Sequence, residues 1–305
     1  KSLSKKIMVV AGGPLPSVCP GMYLDNGFDY VVKGEGEITF HHFARENRPV
    51  EGMYLKDGNK ARFTGEGEIA VDLDALPFPS LDKLDLRKYF VNFSKCTPVS
   101  SILTSRGCPH ECIFCNKSVF GSRWRARSCQ NVMAEIKWQV KTLGAREICV
   151  MDDNFTLDKE RVRNICSAIR SDSIGFSWQC QNGLRADSLD EDLLKQMRQS
   201  GCWKIGIAPE SGDEKILARI DKRLDLDQVE KVNSWCRTAG ICVHAFFMLG
   251  FPFEDAASMN KTVDFAMSLD PVIADFAKVF PLPGTRLFED YGCKFIEGGL
   301  YYIRI

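Results

Sequence analysis

"SRGCPHECIFCNKSVFG", residues 105–121, carries three cysteines within eight positions, at 108, 112 and 115, and it grows directly out of the strand-like run 100–105. The spacing is C-x3-C-x2-C, with Gly107 and Pro109 flanking the first thiol. No fourth cysteine stands close enough in sequence to close an obvious four-ligand site. A structural zinc ion as a rule takes four ligands in a tetrahedron. His110 lies between two of the thiols, where it would strain such a site.

Outward from this loop the chain repeats a strand-then-helix rhythm. Apolar and alternating runs predict strands at 100–105, 147–152, 175–181, 203–208, 242–249 and 274–280, and helical periodicity fills 130–143, 158–171, 190–200, 225–239 and 255–269. This alternation points to an α/β fold with a parallel sheet and outer helices, either doubly wound or a partial (β/α)6 barrel. Ligands gather at the carboxyl ends of the strands in such folds. The cysteine loop occupies the first of those ends.

The N-terminal segment reads as a smaller α/β piece. "IMVVA" (7–11) is a buried strand ending in Gly12-Gly13-Pro14, and "FDYVVKGEGE" (28–37) is a second, followed by a helix through "ITFHHFARE". Asp57-Gly58 fits a hairpin turn. "LPFPS" (76–80) is the expected linker, within a connecting stretch of 76–98. The abrupt start, "KSLSKKIMVVAGG", and the abrupt end, "EGGLYYIRI", are expected of a piece of a longer protein.

Composition narrows the class. The chain is 45% apolar and 26% charged, as globular proteins are, and forty basic residues balance forty acidic ones. A neutral total gives no support to a broad nucleic-acid surface, and "SRWRARS" (122–128) reads as arginines paired to carboxylates, of the protein or of a ligand, ahead of a helix begun by Ser128. Thirteen scattered cysteines are no disulfide framework; Cys149 and Cys242 sit in apolar runs as plain buried thiols. A reducing cytoplasm is expected, with no signal peptide and no apolar run of membrane-spanning length.

Three thiolates with an open fourth position suit a cubane iron–sulfur cluster in which one iron keeps an exchangeable ligand. With Phe114 before the last cysteine, opening a β/α series, the stretch resembles the radical S-adenosylmethionine (SAM) superfamily. The resemblance implies a [4Fe–4S] cluster on Cys108, Cys112 and Cys115, SAM chelated to the free iron, and reductive cleavage to a 5′-deoxyadenosyl radical. "IGIAPESGDEKIL" (205–217) is similar to the family's fourth-strand segment, which implies SAM contacts from Glu210 and Ser211; Ser211 or Asp213 as a helix cap is the alternative. "HAFFMLGFPFED" (244–255) resembles the family's glycine-containing fifth-strand motif, which implies Met248 and Gly250 beside adenine, and "VFPLPGTRLFED" (279–290) resembles its sixth-strand P-x-P-G-T pattern, which implies Pro283 there. "VMDDNFTLD" (150–158) stands where many members carry G-G-E, which implies a SAM- or substrate-facing role for at least one of Asp152 and Asp153; a helix-capping or solvated turn is the alternative. Gln179 and Gln181 share a face at the third strand's end. Of these, Gln179 is a SAM candidate, as is Phe114.

The first segment resembles the end of the cobalamin-binding, Rossmann-like domain that precedes one branch of the superfamily, which implies corrinoid contacts from Gly12 and Gly13. The expected organisation is therefore 1–75 as the C-terminal part of that domain, 76–98 as linker, 99–291 as a partial radical SAM barrel and 292–305 as the start of an extension. The branch's D-x-H-x-x-G string is absent; the histidines are 41, 42, 110 and 244. The expected function is a cobalamin-dependent methyltransferase acting on an unactivated carbon. The substrate is a small molecule or peptide, and the electron donor is of the flavodoxin or ferredoxin kind. The alternatives are a radical SAM cyclase, rearrangement enzyme or oxidoreductase, or a non-catalytic iron–sulfur or zinc module.

Overall fold

The computed structural model describes residues 7–291 and, past them, only the backbone pairing of Lys294–Phe295 with Tyr301–Tyr302. Of the extension expected from residue 292, only that pairing is described. Contacts divide the chain into two units, Lys1–Val71 with Glu111–Arg123 and Phe280–Ile305, and Asp72–His110 with Trp124–Val279.

In the first unit, β1 (Val10–Ala11) runs parallel to β2 (Tyr30–Val32), and β3 (Met53–Asp57) and β4 (Lys60–Phe63) add an antiparallel hairpin on β2. Gly58, at φ +59°, makes the tight turn that Asp57-Gly58 forecast. Helices α1 (Pro14–Val18) and α2 (Pro20–Asp25) each start on a proline, whose missing N–H is no loss at a helix's first position. With α3 (Glu37–Glu46) they complete the layer, where Phe43 packs on Val32 and Met53. Both predicted strands shorten, to two and three residues.

The second unit is the barrel sheet. It opens with β5 (Val99–Ile102), then a small antiparallel ribbon of β6 (Ser105–Arg106) and β7 (Arg125–Ala126) at the feet of the cysteine loop. There follow β8 (Glu147–Val150), β9 (Ser177–Leu184), β10 (Cys202–Glu210), β11 (Cys242–Leu249) and β12 (Ile273–Lys278). The order across the sheet is β5-β8-β9-β10-β11-β12, every pair parallel. A doubly wound sheet reverses its order at a switch point. This one never reverses, so it is the partial barrel, and no pairing joins β12 to β5 among the described residues.

Helices α4 (Cys129–Lys141), α5 (Lys159–Ser171), α6 (Glu191–Gln199), α8 (Leu226–Ala239) and α9 (Ala256–Leu269) alternate with the strands, and a short α7 (Glu214–Arg219) follows β10. Each starts on a Ser or Asp whose side chain accepts a first-turn backbone N–H: Ser128, Asp158, Asp190, Asp213, Asp225 and Asp255. Alternate strand residues such as Ile148, Cys180, Ile205 and Phe247 bury against the helices in one continuous core with Leu193, Val229 and Val232.

Candidate active site

The carboxyl ends of β5 and β8 meet first. β5 stops at Ile102 and β8 at Val150, each shorter than predicted, because the two chain segments beyond them bond to each other. Both oxygens of Asp152 are occupied: Oδ1 accepts from Thr104 N, and Oδ2 from Thr104 Oγ1 and Ser105 Oγ, all at 2.6 Å. Burial pushes its carboxyl up, against the opposing pull of those bonds. Asp153 Oδ2 accepts from Gly107 N at 2.9 Å, one residue before Cys108. Arg127 is not a surface cation. It lies buried, pairs with Glu135 and donates to Asn131 and Leu103 O, behind the Ser128 cap that the sequence forecast.

The tip of the cysteine loop belongs to the first unit. Asn116 Nδ2 donates to Pro283 O at 2.7 Å, and Leu287 N donates to Ile113 O at 2.9 Å, so the loop tip is tied to the turn before α10 (Arg286–Asp290). Pro283 is thus brought to the cysteine loop. Cys112 and Cys115 line an open cavity of about 440 Å³ together with Lys117, Gly284 and Arg286. Two soft thiolates lining open volume, with Lys117 and Arg286 beside the single carboxylate of Glu111, fit an iron–sulfur cluster. Phe114, between them, is half-buried.

Other cysteines contrast with these. Cys149, Cys166 and Cys236 are buried, and desolvation pushes their thiols up to about 11, about 11 and about 12. Cys115 is exposed. Among the described residues, no group of three His, Cys, Asp or Glu side chains is gathered to hold a single metal ion. A cubane places its thiolates on separate irons, so a single-ion cage is not what it requires.

At the later strand ends the sequence candidates separate. Gln179 is not at a strand end: β9 runs on to Leu184, and Gln179 is fully buried in its first half, donating to Glu147 Oε1 at 2.5 Å. Ser211 is buried; its hydroxyl meets Thr262 Oγ1 at 3.0 Å and accepts from Asp213 N, while Asp213 caps α7. Gly212 has to be glycine, since a Cβ there would lie 2.5 Å from Lys261 O. Glu210 ends β10 at φ +70° and pairs with Lys222, a residue the sequence reading passed over. Met248 is half-buried near the end of β11, and Gly250, exposed at φ +92°, donates with Phe251 to Glu254 Oε2.

In the first unit, Gly12 and Gly13 line an open cavity of about 470 Å³ at the carboxyl ends of β1 and β2, with Val32, Gly34, Glu35, Phe40 and Phe120. A Cβ on Gly13 would meet nothing within 4 Å, so the absence of side chains there leaves room rather than contact. The lining suits a large, partly apolar ligand.

Residues 102–266 match the Radical SAM superfamily. The chain belongs to that superfamily. Members of the radical SAM superfamily work with a [4Fe–4S] cluster and SAM. An uncharacterized methyltransferase of Pyrococcus horikoshii is 32% identical over 298 residues, covering 95% of this chain and 64% of that protein. Cytidylyl-2-hydroxyethylphosphonate methyltransferase of Streptomyces wedmorensis is 30% identical over 330 residues, covering 94% and 61%. The chain thus spans about three-fifths of the length of these relatives. The structure of OxsB, a cobalamin-dependent SAM radical enzyme with aqua-cobalamin bound, superposes with a TM-score of 0.79 at 17% identity, over 98% of this chain and 51% of that one, a likeness of fold. No described helix is long and apolar enough to cross a membrane.

Proposed function

We propose that this radical SAM protein is a cobalamin-dependent methyltransferase that methylates an unactivated carbon of a small molecule or peptide, reduced by a flavodoxin- or ferredoxin-like donor in the cytoplasm. The observation that carries the reading is the three-cysteine loop at the first strand end of a sequential parallel sheet. When bound, the cluster would supply the electron that breaks a carbon–sulfur bond of SAM, and the corrinoid would carry the methyl group. The names of the two methyltransferase relatives and the cobalamin of OxsB support this branch.

The chain's own residues have distinct parts in it. Cys108, Cys112 and Cys115 hold the cluster. Lys222 and Glu210 offer opposite charges to the two ends of an amino-acid ligand such as the methionine portion of SAM. Met248 and the Gly250 turn give the adenine an apolar wall and an unhindered backbone. Gly12 and Gly13 admit the corrinoid to the cavity they line. Gln179 and Ser211 are given internal bonding rather than SAM.

Anaerobic incubation of the reconstituted protein with SAM and a strong reductant tests the proposal. Both 5′-deoxyadenosine and S-adenosylhomocysteine are expected, and neither from Cys112→Ala. Deoxyadenosine alone would point to a cyclase, rearrangement enzyme or oxidoreductase. Neither product from cluster-loaded wild type would leave a non-catalytic module.

A further inference from the structure

The cysteine loop is long, and the ribbon that closes it is only two residues a side, Ser105 with Ala126 and Arg106 with Arg125. So short a pairing does not hold a loop on its own. Something else must fix the feet from which the thiolates project. One tripeptide past the end of β8 bonds to both. Asp152 takes Thr104 and Ser105, and Asp153 takes the amide of Gly107 on the first foot. Asn154 O accepts from Trp124 Nε1 at 3.3 Å on the second.

The tripeptide is itself held from behind. Asn182 Nδ2, on β9, donates to Met151 O at 2.9 Å and to Asp152 O at 3.1 Å. Arg161, on α5, donates to Thr104 O and Arg127 O, bridging the same two feet from the helix side. Gly107 sits at φ +84°, so the Asp153 bond fixes a peptide that sets the direction in which the chain leaves toward Cys108.

We propose that Asp152, Asp153 and Asn154 form a fastening that clamps both feet of the cysteine loop, making them positioning residues for the cluster thiolates rather than ligands of SAM. The idea rests on the cluster reading above, and it reassigns the two carboxylates from the role the sequence resemblance implied. Asp152 is 2% exposed, and both its oxygens already accept bonds from the foot of the loop. Asp153 has the one bond that a surface substitution can remove without emptying a buried site.

Asp153→Ala and Asp153→Asn test it, the second retaining an acceptor oxygen. In the cluster-free protein, hydrogen exchange of the Gly107 amide is expected to speed up about fivefold in Asp153→Ala, the worth of roughly one hydrogen bond, and to return in Asp153→Asn. In the loaded protein, loss of iron to a chelator should follow the same order, with thermal unfolding unchanged and SAM affinity within about twofold of wild type. Unchanged exchange and cluster retention, with SAM binding weakened instead, would overturn the proposal and return Asp153 to the ligand. Wild type that takes up no cluster would sink the functional reading alone, since the exchange measurement still decides whether the loop is fastened.

Discussion

Lys222 Nζ stands 3.0 Å from Glu210 Oε1, and both side chains are more than nine-tenths buried. Glu210 adopts its left-handed backbone without being glycine, a conformation that costs about 1 kcal/mol or more and recurs where a strand end has to present a side chain. Removing one partner of such a pair strands a buried charge. Lys222→Met should therefore destabilise the fold by about 3–5 kcal/mol, read by chemical denaturation. The double variant Glu210→Gln/Lys222→Met should recover most of that stability and still bind SAM poorly. Wild-type SAM affinity in the double variant would make the pair purely structural.

Thiol reactivity should separate the loop from the core. Only the thiolate attacks an alkylating reagent, so thiols at about 11 to 12 are nearly inert at pH 8 even before burial blocks access. Iodoacetamide on the folded, cluster-free protein should label exposed Cys115 and leave Cys149, Cys166 and Cys236 unmodified, as peptide mass spectrometry would read. Labelling of the core thiols at a comparable rate would contradict the core described above. Cluster loading should protect Cys115.

Period alone located the six strands of the barrel sheet and its five longer helices but not the short α7, and β11 runs over the residues predicted, 242–249. What it misplaced were ends, for reasons that lie far off in the chain. The strand predicted to end at residue 181 passes on through Asn182 and Gly183 to Leu184; a Cβ on Gly183 would lie 2.6 Å from Ala208 Cβ, so glycine is there for close packing. The β5 run stops early because Asp152, 48 residues on, captures Thr104. The three-cysteine loop was legible because its spacing is local. Lys222 was not: in "DKR" it looks like a solvated charge, and nothing nearby announces the partner it buries against.

The Gly12–Gly13 cavity yields a binding prediction. Gly12 is not among the glycines held at positive φ, and its Cβ would sit 3.9 Å from Val32 Cβ, so a larger side chain meets no backbone bar while filling volume. Gly12→Leu should leave the unfolding midpoint within a few degrees and lower corrinoid uptake at least tenfold, followed by absorbance after gel filtration. Undiminished uptake would place the corrinoid elsewhere.

Acid should reveal the tie between Asp213 and α9. Lys261 Nζ donates to Asp213 Oδ2 at 2.8 Å, and this bond first, with the Lys215 amide, holds the Asp213 carboxyl below its ordinary range. A folded-state value lower than the unfolded one means the unfolded chain binds the proton more readily. The stabilisation is thus complete above the unfolded value, near 4, and fades as pH falls through the lower folded one. Asp213→Asn removes that dependence. Denaturant unfolding should show wild type the more stable at pH 7, with the difference shrinking steadily from about pH 4 downward. A difference that stayed constant across that range would mean that the residue acts only as a neutral cap for α7.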